Sequence, residues 1–455
     1  MAMSELPTLD ALPVEIQEAI IFQLGSIHTL KAAAASCRSL RNLVLYHQHE
    51  IIKRILRSII PDDVFPEALA VFKSRKLLTT DVDIVQRQSD QYFQSLKGIQ
   101  LPDFSLSEAA ALEDFHRLVL RFSASFASNA LSKHPVTGAA EEKPLPLSRR
   151  ESYRIQRALY RFELYWNLFK GMEQAWPPRR VNAPAPSVKY QSECFFDRFA
   201  PWENEQLACI HDFLLRVIDE SYNDVAAHDV EWGALGIPYN EGYEAWSING
   251  YRAHYISLGL EWIDRLGRTR KFKHRRELLT AKRHMLPISF SRGLKNRVVI
   301  SSTDYVSLSE YSEERLKRDV RRPAIKHQSG PAEVWRVTHL DNSSNNFVMA
   351  NEHIPLRERG YVMWSYGRLS KWGLLEIPWQ RPLPNSYSPS VGVADEVNRS
   401  CRRRTEISRN GGSGWWSEND ESKVVYEERV TDFSQQKDRT VRYTISPSGD
   451  RVYLK

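Results

Sequence analysis

Two His-Asp dipeptides, His211-Asp212 and His228-Asp229, place an imidazole beside a carboxylate, the residue types of a general base and the acid that orients it. Proton relay requires both groups to converge on one atom. Neighbours on a helix instead diverge by about 100°, so each pair is read as solvated or capping side chains. The sequence has no phosphate-cradling glycine loop, Rossmann glycines, G-x-S-x-G elbow, H-E-x-x-H, EF-hand loop or C-x-x-C pair. Cys37, Cys194, Cys209 and Cys401 stand far apart, which predicts reduced, buried thiols rather than a disulfide framework or a zinc site. The expectation is a chain without catalytic residues, metal or cofactor. Trp232, Tyr239, Tyr243, Trp246, Tyr251 and Tyr255 make the 190–260 region aromatic-rich, where a deep polar pocket would revive an enzymatic reading. Burial is the simpler account of those rings.

The other chemically suggestive feature is basic. Residues 265–297 carry twelve Lys or Arg against one acid, Glu277, a local +11 that leaves the rest of the chain at −4 out of a total of +7. Within it Arg268, Arg270, Lys271, Lys273, Arg275 and Arg276 crowd into nine residues around Phe272. Such a run fits nuclear import or polyanion binding. A solvated loop or a cationic face toward an acidic substrate is the weightier reading, and a nucleic-acid-binding protein is kept as the alternative.

Positioning such groups takes folded elements, and the composition supplies them. Hydrophobic residues make up 42% and charged residues 26% of 455, enough for a real core and for two or three domains. No apolar run approaches the roughly 18 residues of a membrane span, and the first Lys or Arg is Lys31, so basic presequences are not expected either. The expected location is cytosol or nucleus.

At the N-terminus, Leu12-Pro13-Val14-Glu15-Ile16 opens a helix with Pro13 at its first position, where the missing N–H costs nothing. Ile16, Ile20 and Leu24 follow as an apolar stripe, and Gly25 ends it. A second helix is expected from about His28 through the Ala32–Ala35 run, and a third from about Cys37 to Tyr46 with Leu40, Leu43 and Val44. Three helices this short bury too little surface to stand alone.

The spacing Leu12-Pro13-x-Glu15-Ile16, the apolar helix to Leu24, Leu30, and Cys37-Arg38-x-Leu40-Arg41 resembles an F-box over about 35 residues. That resemblance implies docking on a Skp-type adaptor of a cullin ubiquitin ligase through Leu12, Pro13, Ile16 and Ile20, with Leu24, Leu40 and Leu43 holding the module together. It further implies recruitment of an unknown protein substrate, the ligation chemistry residing in other subunits. Downstream, Leu112-Glu113-Asp114-Phe115-His116-Arg117-Leu118-Val119 and the run Arg157 to Tyr165 resemble the body of a large group of filamentous-fungal F-box-like proteins.

The expected architecture is α+β: a module at 1–60, a helical body at 61–287, a mixed α/β region at 288–400 and a polar tail with a β-hairpin at 401–455. Ile51 to Ile59 predicts a helix ending at Pro61; Ser105-x-x-Glu108 and Ser148-x-x-Glu151 predict capping boxes opening long helices. The second of those carries Ile155, Leu159, Phe162, Trp166 and Phe169 on one face, and Trp202 to Ser221 predicts another helix. Pro177–Pro186 reads as a loop. β-branched content predicts strands at Arg297–Ile300, Ala332–Val337 and Gly360–Trp364, with a charged helix at Ser309–Val320 between the first two. Arg381–Gly414 reads as an extended linker, and Val424–Tyr426, Val441–Ile445 and Val452–Leu454 as strands around a Ser446–Asp450 turn.

Overall fold

The opening apolar pattern becomes four short helices: α1 Val14–Phe22, α2 Ile27–Ser36, α3 Arg38–Tyr46 and α4 Gln48–Ile59. These belong to a computed structural model that describes residues 9, 12–96, 98, 101–141, 145–174, 188–239, 250–284, 289–295, 329–340, 347–376, 391–432, 437–446 and 448–454. Next come α5 Phe65–Ser74, α6 Val82–Ser95, α7 Leu106–Ala130, α8 Arg149–Gln174, α9 Val188–Cys194 and α10 Pro201–His228. After them lie α11 Val230–Ala234, α12 Gly250–Ser257, α13 Leu260–Arg268, α14 Phe272–Ala281 and α15 Ser289–Lys295. The chain packs as two compact units, each discontinuous in sequence. One comprises residues 1–211, 290–350 and 356–382, the other residues 212–289, 351–355 and 383–455.

The core of the first unit is built around α8. Its expected apolar face is buried throughout, and so are Tyr160, Leu164, Tyr165 and Leu168 on other faces, so the helix is encased rather than laid on a surface. Tyr165, Trp166, Phe196 and Phe290 stack around it with ring centroids 4.7–5.7 Å apart. Both capping boxes form. Ser105 Oγ accepts from Glu108 N at 3.2 Å while Ser105 N donates to Glu108 at 3.0 Å. Ser148 and Glu151 exchange the same bonds at 3.3 and 2.9 Å. Glu151 also accepts from Ser365 N and from Arg368, both Nε and Nη2, at 2.9–3.0 Å, tying the cap of α8 to the Tyr366–Lys371 helix. Burial pushes that carboxyl up, but Arg368 and the two backbone donors outweigh it and hold it at about 2.

Within this unit two buried histidines are held neutral. His116 shares a 3.0 Å hydrogen bond with Tyr160, His339 lies 2.7 Å from the Trp335 carbonyl, and burial pulls them to about 4 and about 3. In the unfolded chain they protonate near the ordinary value of about 6.5. Stability from neutral burial is therefore complete above pH 6.5 and is lost as pH falls toward 4 for His116 and 3 for His339, at about 1.4 kcal/mol per pH unit for each. The urea midpoint is expected to drop between pH 6.5 and 5. A pH-independent midpoint across that interval would count against this, as would an unchanged slope in His116→Gln plus His339→Gln.

Two expected strands and one expected linker are corrected. Ala332–Val337 lies inside the Ser329–His339 helix, where Pro331 sits in the first turn and Val334, Trp335 and Val337 pack inward, packing overriding the preference of β-branched residues. Gly360–Trp364 is not a strand: Gly360 has φ +58° and leads into a buried 3-10 turn, Tyr361–Met363. The proposed linker within 381–414 is largely the Val391–Arg409 helix, whose Arg404 and Ile407 are buried. Arg297–Ile300, Ser309–Val320 and Pro177–Pro186 lie outside the described residues.

In the second unit, Arg404 donates to the carbonyls of Ala226 and Asp229 at 2.6 and 2.9 Å. Only a glycine fits beside it, because a Cβ on Gly233 would stand 2.5 Å from Arg404 Nε. The C-terminal strands are β1 Gly412–Gly414, β2 Val424–Asp432, β3 Lys437–Ile445 and β4 Arg451–Leu454, an antiparallel meander in that order. Tyr426 pairs with Tyr443 and Tyr443 with Tyr453, an aromatic row across the sheet. Val424 and Tyr426 face a small core with Val230, Ile407 and Trp416. The Ser446–Asp450 turn closes as expected, with Gly449 at φ +88°. α+β thus holds, with helices dominant and, among the described residues, one sheet near the C-terminus.

Candidate docking surface

The first helix buries a different line of residues from its obvious stripe. Gln17 and Ile21 face inward at 1% exposure, whereas Ile16 and Ile20, one position back along each turn, are 49% and 38% exposed. Two parallel rows run along α1, Gln17 with Ile21 and Ile16 with Ile20, and the module's own core uses the first. That core is Ile21, Ile27, Leu30, Leu40 and Val44, with Leu24 and Leu43 half-buried at its margin. Pro13 is exposed and Leu12 half-buried. Leu9 and Val14, and at the end of α3 Leu45 and Tyr46, add further exposed apolar groups.

Gln17 is the residue that sequence reasoning missed. Its amide Nε2 donates to the carbonyls of Leu9 and Leu12 at 3.1 and 2.9 Å, and its Oε1 accepts from Ser39 Oγ at 2.6 Å. One buried side chain therefore locks the segment leading into Leu12-Pro13 onto α3. The available signal was Ile21 next to Ile20, a second apolar row with Gln17 at its head. Gln17→Leu leaves three polar groups short of a partner and is expected to destabilise the module by about 1–3 kcal/mol, read as a lowered melting temperature. A Gln17→Leu chain as stable as wild type would refute this locking role.

The module is also fastened to the body. Ser26 caps α2 by accepting from His28 N, and donates to Glu113 Oε1 at 2.8 Å. Glu113 Oε2 accepts from Ile27 N at 2.7 Å, placing a buried carboxylate at the positive end of α2. Arg117 pairs with the same carboxylate, and His28 reaches Asp114 at 2.8 Å. The stretch Leu112 to Val119 thus contributes Glu113 and Asp114 as the anchor of α2 on α7.

The basic run is less free than its composition implies. Arg275 pairs with Asp224 and Glu220 at 3.0 and 3.2 Å, Arg276 with Asp229 and Glu231, Arg268 with Asp264 and Arg270 with Glu220. Arg283 joins Glu231 at 3.0 Å. Among the described residues Lys271 and Lys273 are exposed and make no ion pair. Acids on α10 and α11 hold Arg270, Arg275, Arg276 and Arg283, a pairing invisible to a count along the sequence.

Of the imidazole–carboxylate neighbours, His228 and Asp229 turn to different partners, whereas His211 and Asp212 are buried rather than solvated. His211 stacks on Phe290 at 4.9 Å. His228 Nδ1 lies 2.9 Å from the Trp416 carbonyl, while Asp229 caps α11 by accepting from Trp232 N at 3.0 Å and holds Arg276. Trp232 and Tyr255 are fully buried; Tyr243 and Trp246 lie outside the described residues. The four cysteines are unbridged, Cys194 and Cys209 buried, Cys37 and Cys401 half-buried. Among the described residues no His, Cys, Asp and Glu cluster is arranged to hold a metal, and no helix is long and apolar enough to cross a membrane.

No family model, curated protein or solved structure matches this chain.

Proposed function

We propose that this protein is an F-box-type substrate receptor. It docks on a Skp-type adaptor through Leu12, Pro13, Ile16 and Ile20 and carries a protein substrate to a cullin ubiquitin ligase. The observation that supports this most is the open row on α1: Ile16 and Ile20 stay half in water although a complete core lies one residue away on the same helix. Isoleucines left exposed beside a satisfied core suit burial by a partner, where apolar area is worth about 25 cal/mol per Å². The receptor contributes placement. Holding a substrate lysine near the conjugating enzyme turns an encounter into a local event and asks for no catalytic side chain here. The anchoring of α2 on Glu113 suits that task, because a rigid path from adaptor to substrate fixes the geometry.

The test is purification of the full chain with a Skp-type adaptor. Stoichiometric co-elution is expected, and a chain that elutes alone overturns the reading. Polyanion binding by 265–297 is the weaker reading, since four of the six central cations are engaged by neighbouring acids. Neutralising Lys271 and Lys273 is accordingly expected to leave retention on DNA or RNA at low salt unchanged; a clear loss would restore the nucleic-acid reading.

A further inference from the structure

The second unit holds a cleft of about 470 Å³. One wall is the Val391–Arg409 helix, which presents Glu396, Ser400 and Arg403 at successive turns, about 10 Å of helix by its rise per residue. The facing wall includes Trp416, Glu418 and Glu421, with the end of α10 and Tyr239 closing the cleft. The Trp416 side is held in place: its Nε1 donates to Glu421 at 3.2 Å and its carbonyl lies 2.9 Å from His228 Nδ1.

Charge in the cleft is not balanced by its own residues. Arg403 and Glu421 consume each other at 3.0 and 3.3 Å, and Arg403 also takes Glu406. Glu396, Glu418 and Arg399 line the cleft without an ion pair among the described residues, leaving one net negative charge. Ser400, which lines the cleft, has a buried Oγ with no hydrogen-bond partner in the protein. The lining sets ionisable and hydroxyl side chains beside an apolar share from Ala227, Val397 and Trp416, a mixture that suits a peptide backbone and a charged side chain together. A row of such groups about 10 Å long matches roughly three residues of extended chain.

We propose that this cleft binds an extended peptide segment carrying a basic side chain, with Glu396 and Glu418 reading its charge. As the substrate-recognition element it rests on the receptor reading; as a peptide cleft it is measured on this chain alone. The test offers the full chain acetylated and amidated hexapeptide pools, each with one fixed residue. Pools fixed as Lys or Arg are expected to bind, and Asp or Glu pools not. Glu396→Lys plus Glu418→Lys, both exposed positions, is expected to weaken the basic pools about tenfold and reverse the preference without lowering the melting temperature. Equal binding of all pools, preference for acidic pools, no binding, or indifference to the charge reversal each overturns the assignment. Binding of basic pools by a chain that fails to retain an adaptor would sustain the cleft and discard the receptor role.

Discussion

Ile16→Asp combined with Ile20→Asp is expected to weaken retention of a Skp-type adaptor at least about 100-fold while leaving the melting temperature of the free protein essentially unchanged. The asymmetry follows from where the two side chains sit. In the free protein both are substantially exposed, so aspartates there meet water, and the core row of Gln17 and Ile21 is untouched. In a docked complex the same aspartates would be buried among apolar groups without a counter-charge, which costs several kcal/mol for each ion. Anchor residues at the centre of an interface commonly contribute about 2 kcal/mol or more apiece. Leu12→Asp is a less clean probe, because Leu12 is half-buried and its carbonyl accepts from Gln17. Undiminished adaptor binding by the double variant would remove these contacts from the proposal.

The second large effect concerns the centre of the first unit. Arg161 is expected to be the most damaging single truncation there: Arg161→Ala should cost about 3–5 kcal/mol, read as a lowered denaturant midpoint at unchanged slope. Its guanidinium donates to Glu203 at 3.0 Å, to Glu67 at 3.3 Å and to the Tyr92 hydroxyl at 3.2 Å, and lies over the Phe199 ring at 4.3 Å. One side chain on α8 thereby joins α5, α6 and α10, and all three polar partners are 3% exposed or less. Burial pushes the Glu67 carboxyl up against the pull of Arg161 and Arg157. Removing the cation strands two buried carboxylates. Combining Arg161→Met and Arg157→Met with Glu67→Gln and Glu203→Gln removes the charges together and is expected to recover much of the loss. A loss below about 1 kcal/mol in Arg161→Ala would show that the network is incidental.

Local rules were legible where local chemistry decides. Ser105, Glu108, Ser148 and Glu151 capped their helices as their spacing required, since a cap closes within one turn of chain. The Ser446–Asp450 turn and its flanking strands followed the same logic. The strand expectations at Ala332–Val337 and Gly360–Trp364 rested instead on β-branched content in short buried runs. Such runs suit a buried helix or turn equally well, and neighbours supplied by the fold choose between them. The Val391–Arg409 helix was hidden by its serines and arginines, because only its place in the fold shows that Arg404 is buried against two carbonyls.

For the candidate site, the sequence by itself set the apolar stripe Ile16, Ile20 and Leu24 behind Leu12-Pro13, on helices too short to stand alone. Only the tertiary structure decided which of two adjacent rows on α1 is spent internally. That choice is set by Ser39 on α3 and by Glu113, 87 residues after Ser26, whose hydrogen bonds fix the module against the body. The same holds for the basic run: its charge is a fact of sequence, and its neutralisation depends on acids that folding brings across from α10 and α11. Periodicity records how much of a helix is apolar; which side meets water is settled by partners distant in the chain.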